Sequence, residues 1–422
     1  MKKEVSEMRY IIIGNSAAGI GAVEGIREID KSGEIVIISN ETFHTYSRPL
    51  ISYLLLGKTT EEKMRYRDEN FYKENNCQLF FGKTVTAIDA KEKIVTLNDG
   101  ACLNYDKLLV STGSSAFVPP CEGLDSIKNS FSFMCLDDAK NLEKLLDQET
   151  DVLIVGAGLI GLKCAEGISQ RVGSVTIVDL APKILSSILD DEGAALVQEH
   201  LEEKGLKFLL SRSVKKFVSG TSEENKQTAI LDNGEEIKFD ILVMAVGVRP
   251  NTALLKNIAD IDRGIIVDGK SMTSAPDIYS AGDCSQTLDI SSGQSKIMAL
   301  LPNAYMQGEC AGINMAGGEK SFDTAIPMNA IGLFGLHIIT AGNYTGEVYA
   351  KDELRNYKRL YHSDDHLNGF ILIGDVMKAG IYTNLIRERT SLSGIDFDLI
   401  CEKPGLMAFT KEERTEKLGA TK

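Results

Sequence analysis

Two glycine-rich segments have residue types and spacing suited to binding a phosphate group. The first is Gly14-Asn-Ser-Ala-Ala-Gly19 and the second is Gly156-Ala-Gly-Leu-Ile-Gly161. Each follows an apolar run and precedes a stretch with helical character. Glycines let the backbone approach a ligand closely, and the helix N-terminus presents unpaired N–H groups with a partial positive charge. The two segments therefore predict two sites for the pyrophosphate of a dinucleotide.

The second segment carries the fuller motif, with glycine at all three G-x-G-x-x-G positions and an acid beyond it. Asp179 lies 18 residues past Gly161, at the end of the next predicted strand. A carboxylate there accepts hydrogen bonds from an adenine ribose 2′-hydroxyl and repels a 2′-phosphate. The following residues, Leu180-Ala-Pro182, supply no arginine, so NADH is favoured over NADPH. The predicted nucleotide contacts are Gly156, Gly158, Leu159, Ile160, Gly161 and Asp179.

The first segment is less complete, because Ser16 replaces the middle glycine. Taken alone, it fits an ordinary strand-to-helix turn with a serine cap equally well. Glu41 follows the second strand and is the candidate acid for a ribose, although its spacing is slightly late. The predicted contacts of this segment are Gly14, Ser16, Ala17, Ala18, Gly19 and Glu41.

Both motifs lie in predicted β-α-β units, whose continuous apolar strands are typical of a parallel sheet covered on both faces. The first comprises a strand at Arg9–Gly14, a helix to about Ile29 and a strand at Glu34–Ser39. The second comprises a strand at Asp151–Val155, a helix at Leu162–Gln170 and a strand at Ser174–Asp179. Two such units predict two nucleotide-binding folds.

The last part of the chain has a different pattern. From about Ile326, short apolar runs separated by Gly or Asn predict a mixed sheet, with a terminal helix near Tyr382–Arg389. The polar tail Lys411–Lys422 is expected to be frayed.

Composition narrows the class of protein. The chain has 422 residues, of which 43% are hydrophobic and 25% charged, which suits two or three globular domains. The net charge of −14 argues against non-specific binding to nucleic acid or an anionic membrane. No run approaches the roughly 18 apolar residues of a membrane span, and the N-terminus lacks secretory features, so we expect a cytoplasmic protein. The cysteines do not have the spacing of a metal site. His362 and His366 have the H-x-x-x-H spacing, but Ser363, Asp364 and Asp365 between them predict a turn and not a helix.

Further segments extend the pattern to a family resemblance. They are Ser111-Thr-Gly113, Ala245-Val-Gly-Val-Arg-Pro250, Thr273 to Asp283, Leu301-Pro-Asn-Ala304 and Gln307-Gly308. In this order they resemble the pyridine-nucleotide disulfide oxidoreductase superfamily, in the branch of NADH:rubredoxin and ferredoxin reductases and NADH oxidases. The resemblance implies FAD and NAD(H) as cofactors, with Asp283 hydrogen-bonded to the FAD ribityl chain. It adds as cofactor contacts Thr112, Gly113, Gly247, Gly282, Asp283, Asn303 and Ala304.

The resemblance also implies an α/β fold of two Rossmann-like three-layer nucleotide-binding domains and a C-terminal α+β interface domain. The expected boundaries are residues 1–115 and 246–325 for the FAD-binding domain, 116–245 for the NAD-binding domain and 326–422 for the interface domain.

One segment departs from the thiol-dependent relatives. Tyr46-Ser-Arg-Pro-Leu50 lies where they place a redox cysteine beside the flavin, yet no cysteine precedes Cys77. A thiolate relay needs such a nucleophile. The Ser-Arg-Pro form resembles reductases of iron–sulfur carriers, with Arg48 and Pro49 near the cofactor and Arg48 as the candidate catalytic residue. Arg48 is either a surface arginine or a cation that stabilises reduced flavin.

The expected activity is therefore hydride transfer from NADH to FAD, followed by electron transfer to an iron–sulfur carrier. Rubredoxin, a ferredoxin and an iron–sulfur subunit of a larger redox enzyme are the candidate acceptors, and the direction of flow stays open. The alternatives are an NADH oxidase that reduces oxygen and an NADH-responsive binding flavoprotein. Both a homodimer and a subunit of a larger complex are compatible with the sequence.

Overall fold

The computed structural model describes residues 8–220 and 226–410, so the tail predicted to fray, Lys411–Lys422, lies outside the described residues. The chain forms two compact units, each made of two chain segments. The first unit combines Met1–Ser115 with Val248–Ala325, and the second combines Ala116–Gly247 with Ile326–Lys422. The three-domain division expected from the sequence stays a prediction.

The regular elements are numbered in chain order. The strands are β1 (Arg9–Ile13), β2 (Glu34–Ser39), β3 (Cys77–Phe81), β4 (Val85–Asp89), β5 (Ile94–Leu97), β6 (Cys102–Asn104), β7 (Lys107–Val110), β8 (Ser114–Ala116), β9 (Ser130–Phe131), β10 (Asp151–Val155), β11 (Ser174–Asp179), β12 (Lys207–Leu210), β13 (Val214–Val218), β14 (Gln227–Leu231), β15 (Glu236–Phe239), β16 (Ile241–Met244), β17 (Val248–Pro250), β18 (Ile265–Ile266), β19 (Ile278–Ser280), β20 (Ser285–Asp289), β21 (Gln294–Lys296), β22 (Met328–Leu333), β23 (Leu336–Gly342), β24 (Glu347–Glu353), β25 (Asn356–Ser363) and β26 (His366–Ile373). The helices are α1 (Ala17–Ile29), α2 (Ile51–Leu55), α3 (Phe71–Glu74), α4 (Leu136–Glu143), α5 (Leu159–Ile168), α6 (Asp191–Glu202), α7 (Leu301–Met315), α8 (Ala379–Arg387) and α9 (Phe397–Glu402).

The first unit is built on a parallel sheet with the strand order β19-β7-β1-β2-β3. Its central strand β1 is buried on both faces because successive side chains point to opposite sides. Tyr10 and Ile12 belong to the same apolar cluster as α1 and α7 residues. Ile11 and Ile13 belong to a second cluster that includes residues of the antiparallel sheet β4-β5-β6. The continuous apolar run of β1 thus reflects a core on each side.

The second unit contains a parallel sheet with the matching order β12-β11-β10-β16-β9. The motif strand β10 occupies the same central place as β1, and an antiparallel sheet, β13-β14-β15, again accompanies it. The prediction of two β-α-β units is confirmed. Helix α5 begins at Leu159, three residues before the predicted start, because the helix opens inside the glycine segment, with Gly158 as its N-cap.

The remaining sheet of the second unit has the order β22-β23-β26-β25-β24, and every neighbouring pair is antiparallel. The prediction of a mixed sheet is wrong, because short turns join β22 to β23, β24 to β25 and β25 to β26, and such connections require antiparallel strands. Most residues of β24 are exposed, so this strand gives little apolar signal in the sequence. The predicted terminal helix corresponds to α8.

Mixed α/β architecture with two parallel sheets is the fold class expected from the sequence. Within residues 8–220 and 226–410, no helix has the length and apolar character needed to cross a bilayer.

Candidate functional site

The first glycine turn joins β1 to α1 in a conformation that only glycine adopts easily. Gly14 has a φ of +119°, and a Cβ there would lie 2.1 Å from the carbonyl oxygen of Ser111. A Cβ on Gly19 would lie 2.1 Å from the carbonyl oxygen of Gly14. Ser16 occupies the N-cap position of α1, but its side chain makes no capping hydrogen bond. The serine-cap interpretation is therefore wrong, and the N-terminal N–H groups of α1 remain oriented for a ligand.

Helix α1 packs against α7 so closely that glycine is required on both helices. Cβ atoms on Gly21 and Gly25 would lie 2.3 Å from carbonyl oxygens of α7. Cβ atoms on Gly308 and Gly312 would lie 2.0 and 2.2 Å from carbonyl oxygens of α1. This packing sets the start of α7, with its predicted cofactor contacts, beside the first glycine turn. The four-residue spacing of glycines in both helices is a sequence signal that the nucleotide-binding motifs do not include.

Gly282 and Asp283 form a turn where β19, α1 and α7 converge. Gly282 has a φ of +81°, and a Cβ there would lie 3.3 Å from Ala18 Cβ and 3.5 Å from Ala304 Cβ. Burial raises the pKa of the Asp283 carboxyl, while a hydrogen bond from Ser114 and the charge of Arg48 act in the opposite direction. The Ser114 Oγ donates to Asp283 Oδ2 at 3.0 Å. Contacts predicted from distant parts of the sequence therefore meet here.

Arg48 lies in a network with the candidate ribose acid. Its guanidinium forms an ion pair with Glu41 Oε1, and the Tyr46 hydroxyl donates to Glu41 Oε2 at 2.7 Å. The guanidinium also lies 5.4 Å from the centre of the Tyr46 ring. Arg48 is thus partnered and close enough to Asp283 to influence its pKa. The Arg48 side chain is 35% exposed and the neighbouring Pro49 is exposed, so both alternatives for Arg48 stay predictions.

The Thr112–Gly113 segment is held by Asn251. The Thr112 hydroxyl donates to the backbone carbonyl of Asn251 at 2.7 Å. The side-chain Nδ2 of Asn251 donates back to the backbone carbonyl of Thr112 at 2.9 Å. Gly113 has a φ of +64°, and a Cβ there would meet no atom within 4 Å. Asn303 is buried in the first turn of α7, where its Nδ2 lies 3.7 Å from the sulfur of Met298. Thr112, Gly113 and Asn303 thus belong to the first unit, together with Gly282 and Asp283, whereas Gly247 belongs to the second.

The second glycine turn repeats the geometry of the first. Gly156 has a φ of +118°, and its Cβ would lie 2.2 Å from the carbonyl oxygen of Ala245. A Cβ on Gly161 would lie 2.0 Å from the carbonyl oxygen of Gly156. A Cβ added to Gly158, by contrast, would meet no atom within 4 Å from other parts of the described chain. The first and last glycines are needed by the protein, and the middle position faces open space that a pyrophosphate can occupy.

Asp179 lies beside this second turn, as its spacing predicts. Its Oδ2 accepts a hydrogen bond from the Ala157 N–H at 2.6 Å, and its Oδ1 accepts one from the Ala181 N–H at 2.7 Å. Leu159 and Ile160 open α5 and are half-buried. Gly247, predicted to contact cofactor, has a φ of +121° and no atom within 4 Å of an added Cβ.

Sequence reasoning missed the supports of these segments. Asn15, inside the first turn, accepts a hydrogen bond from the Tyr72 hydroxyl at 2.8 Å. That hydroxyl in turn accepts from the Thr45 N–H at 3.0 Å. Tyr72 lies 57 residues from Asn15 and belongs to no motif, so nothing local in the sequence identifies it.

These arrangements define a protein with two dinucleotide sites. Each unit offers a glycine turn, a helix N-terminus and an acid after the second strand, which are the groups that bind a pyrophosphate and a ribose. The first unit adds a partly buried carboxyl at Asp283. The residues present therefore fit FAD in the first unit and NAD(H) in the second.

Comparison with known proteins gives the family. The family model described as pyridine nucleotide-disulphide oxidoreductase matches residues 8–308, and the chain belongs to this family. The chain is 30% identical over 403 residues to the NADH-dependent phenylglyoxylate dehydrogenase subunit epsilon of Aromatoleum evansii, covering 93% of this chain and 94% of that protein. It is 34% identical over 325 residues to an NADH oxidase of Methanocaldococcus jannaschii, covering 75% and 71%.

The solved structure of the covalent putidaredoxin reductase–putidaredoxin complex contains a similar chain. The TM-score is 0.87 at 22% identity, with 98% of this chain and 99% of that chain covered. The protein is thus an oxidoreductase that uses FAD and NAD(H) as cofactors, as the sequence predicted. All eight cysteines are free thiols, so the described structure contains no disulfide despite the family name.

Proposed function

We propose that the protein oxidises NADH and delivers the electrons to an iron–sulfur protein. The observation that carries the proposal is the segment Tyr46–Leu50, which contains no thiol and whose Arg48 forms an ion pair with Glu41. When FAD is bound it accepts a hydride and can release electrons singly. Because Tyr46–Leu50 contains no cysteine, the thiol relay of the disulfide-reducing relatives has no sulfur at that position. A one-electron acceptor outside the chain is then the natural destination.

The chain's own residues have distinct tasks in this proposal. Asp179 binds the adenine ribose of NADH, and Glu41 binds the adenine ribose of FAD. Asp283 binds the ribityl chain, and Arg48 supplies positive charge near the flavin. Binding in fixed orientation accounts for most of the catalytic effect, because the cofactors bring the reactive atoms. The discrimination against NADPH rests on the negative charge of Asp179.

The acceptor is either a small carrier such as rubredoxin or a ferredoxin, or an iron–sulfur subunit of a larger redox enzyme. The similarity to a dehydrogenase subunit over nearly the full length of both chains supports the second form. In that form the flow can also run towards NAD⁺. A homodimer and a complex subunit are both compatible with this proposal.

The first experiment asks whether the purified protein holds one FAD per chain. Each flavin-associated motif occurs once, so gentle denaturation should release FAD in a one-to-one ratio with protein. Release of FMN, or of no flavin, would contradict the proposal.

The second experiment measures anaerobic NADH oxidation with rubredoxin or a ferredoxin as acceptor. Rapid acceptor reduction is the expected result. Turnover with oxygen alone would favour the second candidate, an NADH oxidase, which the similarity to the Methanocaldococcus jannaschii protein makes a specific alternative. A long-lived complex with little turnover would instead indicate an NADH-responsive binding flavoprotein.

A further inference from the structure

Gln307 is a buried amide on α7 whose orientation is fixed by its neighbours. The residue is only 4% exposed to solvent. Its Oε1 accepts hydrogen bonds from the Gly282 N–H at 2.9 Å and from the Ser285 hydroxyl at 2.9 Å. Exchanging the amide oxygen and nitrogen would place two donors against the Gly282 N–H, so the amide cannot be reversed. Its Nε2 must therefore point away from these two partners.

The Nε2 of Gln307 is buried and has no hydrogen-bond acceptor within the part of the chain that the structure describes. A buried amide nitrogen normally finds an acceptor, because leaving it unpaired loses the hydrogen bonds that water would provide. The carbonyl end of the same amide is satisfied twice. The unpaired end therefore points to an acceptor that is not part of the described protein.

The position of Gln307 indicates which acceptor this is. Side chains on a helix lean towards its N-terminus, so Gln307 extends towards Ala304 and the start of α7. The Gly282 that it binds lies against Ala18 and Ala304 and directly precedes Asp283. The amide is thus bonded to the turn where the proposed FAD contacts of three chain segments meet.

We propose that Gln307 binds FAD through its Nε2, while its Oε1 positions the Gly282–Asp283 turn. The inference rests on the proposed placement of FAD in the first unit. The phosphate oxygens, ribityl hydroxyls and ring carbonyls of FAD are all suitable acceptors for an amide N–H. Gln307 is therefore a cofactor-binding residue in addition to those that the motifs identify.

The decisive variant is Gln307→Glu, which keeps an oxygen for Gly282 and Ser285 but removes the two N–H donors. FAD affinity is measured by titrating the apo-protein with FAD at about pH 8, where a carboxylate is ionised. We expect the dissociation constant to rise by about tenfold or more, because an acceptor of FAD would then face another acceptor. Thermal unfolding of the apo-protein in the same buffer reports separately on folding.

Two further variants separate cofactor binding from support of the turn. Gln307→Met removes donor and acceptor without introducing charge, and it should weaken FAD binding as much as Gln307→Glu does. Ser285→Ala removes one partner of Oε1 but keeps Nε2, so its dissociation constant should stay within about threefold of the parent. Should Gln307→Glu fail to fold, parent-like FAD affinity in Gln307→Met would overturn the inference, and weakening by Gln307→Met without weakening by Ser285→Ala would support it.

Parent-like FAD affinity in Gln307→Glu would overturn the inference. An equal loss of FAD affinity in Ser285→Ala and in both Gln307 variants would also overturn it. Either result would mean that the amide only supports the turn. If the parent apo-protein itself bound no FAD, the proposed function would fail instead, which distinguishes the two failures.

Discussion

The two glycine turns have nearly the same backbone but tolerate different residues at the middle position. Gly14 and Gly156 have φ values of +119° and +118°, and a Cβ on either would lie 2.1–2.2 Å from the carbonyl oxygen of the residue that directly follows a neighbouring strand. The middle residues, Ser16 and Gly158, both have extended conformations, with φ values of −109° and −82°. Any residue can adopt these angles. The first glycine is therefore required for folding, whereas the middle glycine is required only by what binds above it.

The acids beside the two turns are held in different ways. Glu41 interacts with side chains, since Tyr46 and Arg48 occupy its two oxygens. Asp179 accepts hydrogen bonds from the backbone, one of them from Ala157 inside the glycine turn itself. The acid of the second unit is thus fixed by the motif, and the acid of the first unit depends on a separate segment.

The largest effect on the free energy of unfolding is expected from a side chain added at the first glycine of a turn, and a much smaller one from a side chain added at the middle glycine. Gly156→Ala should lower the free energy of unfolding by about 2–5 kcal/mol, because it combines a strained φ with a collision against Ala245. Gly158→Ser introduces the serine of the first motif and should change the free energy of unfolding by less than about 1 kcal/mol. Urea unfolding followed by circular dichroism measures both. Similar losses in the two variants would refute the distinction between folding and ligand glycines.

Coenzyme preference tests the difference between the two acids. The parent should use NADH about tenfold to a hundredfold better than NADPH, since Asp179 repels a 2′-phosphate and bonds a hydroxyl. Asp179→Ser should narrow this ratio of reduction rates at sub-saturating coenzyme. Glu41→Gln is the matched control and should leave the ratio unchanged. Equal parent rates with NADH and NADPH would show that Asp179 has another role.

Asp283 provides a third acid, and burial disfavours the ionised form of its carboxyl in the protein without cofactor. Because its pKa is raised, the folded protein holds a proton that the unfolded chain has lost above its ordinary value near 3.9. Stability of the apo-protein therefore falls as pH rises from that value through the raised one. Asp283→Asn still accepts from Ser114, and it should stabilise the apo-protein at neutral pH while weakening FAD binding about tenfold.

The check is thermal unfolding of the parent and Asp283→Asn apo-proteins across this pH range. The stabilising effect of the variant should appear as the pH rises and should be absent in acid, where the Asp283 carboxyl of the parent is protonated in the folded and the unfolded chain alike. A neutral-pH melting temperature below that of the parent would indicate that the carboxylate stabilises the apo-protein. FAD titration of the same samples gives the second readout.

The smallest effect is expected at Cys284, the thiol directly after Asp283. It is completely buried, and its sulfur lies 3.5 Å from the carbonyl oxygens of Val110 and Ala281. Cys284→Ser should leave NADH-to-acceptor electron transfer within a few-fold of the parent, because a buried thiol without access is unreactive. Reductive titration should consume two electrons per FAD. Uptake of four electrons would reveal a thiol couple.

Sequence patterns were most reliable where a residue has a local reason to be present. The spacing of Gly156, Gly161 and Asp179 predicted both the turn and the acid beside it, since strand, turn and helix follow one another directly. The antiparallel C-terminal sheet was predicted less well, because β24 is exposed and gives little apolar signal. Short turns, and not the apolar runs, determine its strand directions.

The sequence by itself determined the two β-α-β units, the candidate acids and the absence of a thiol in Tyr46–Leu50. These features depend on residue type and on short spacing, which a single chain displays. Only the tertiary structure decided that Asn15 is supported by Tyr72, that α1 and α7 meet through glycines, and that Gln307 has an unpaired donor. Those contacts join residues from distant parts of the chain, and their partners are fixed by packing and by hydrogen-bond geometry.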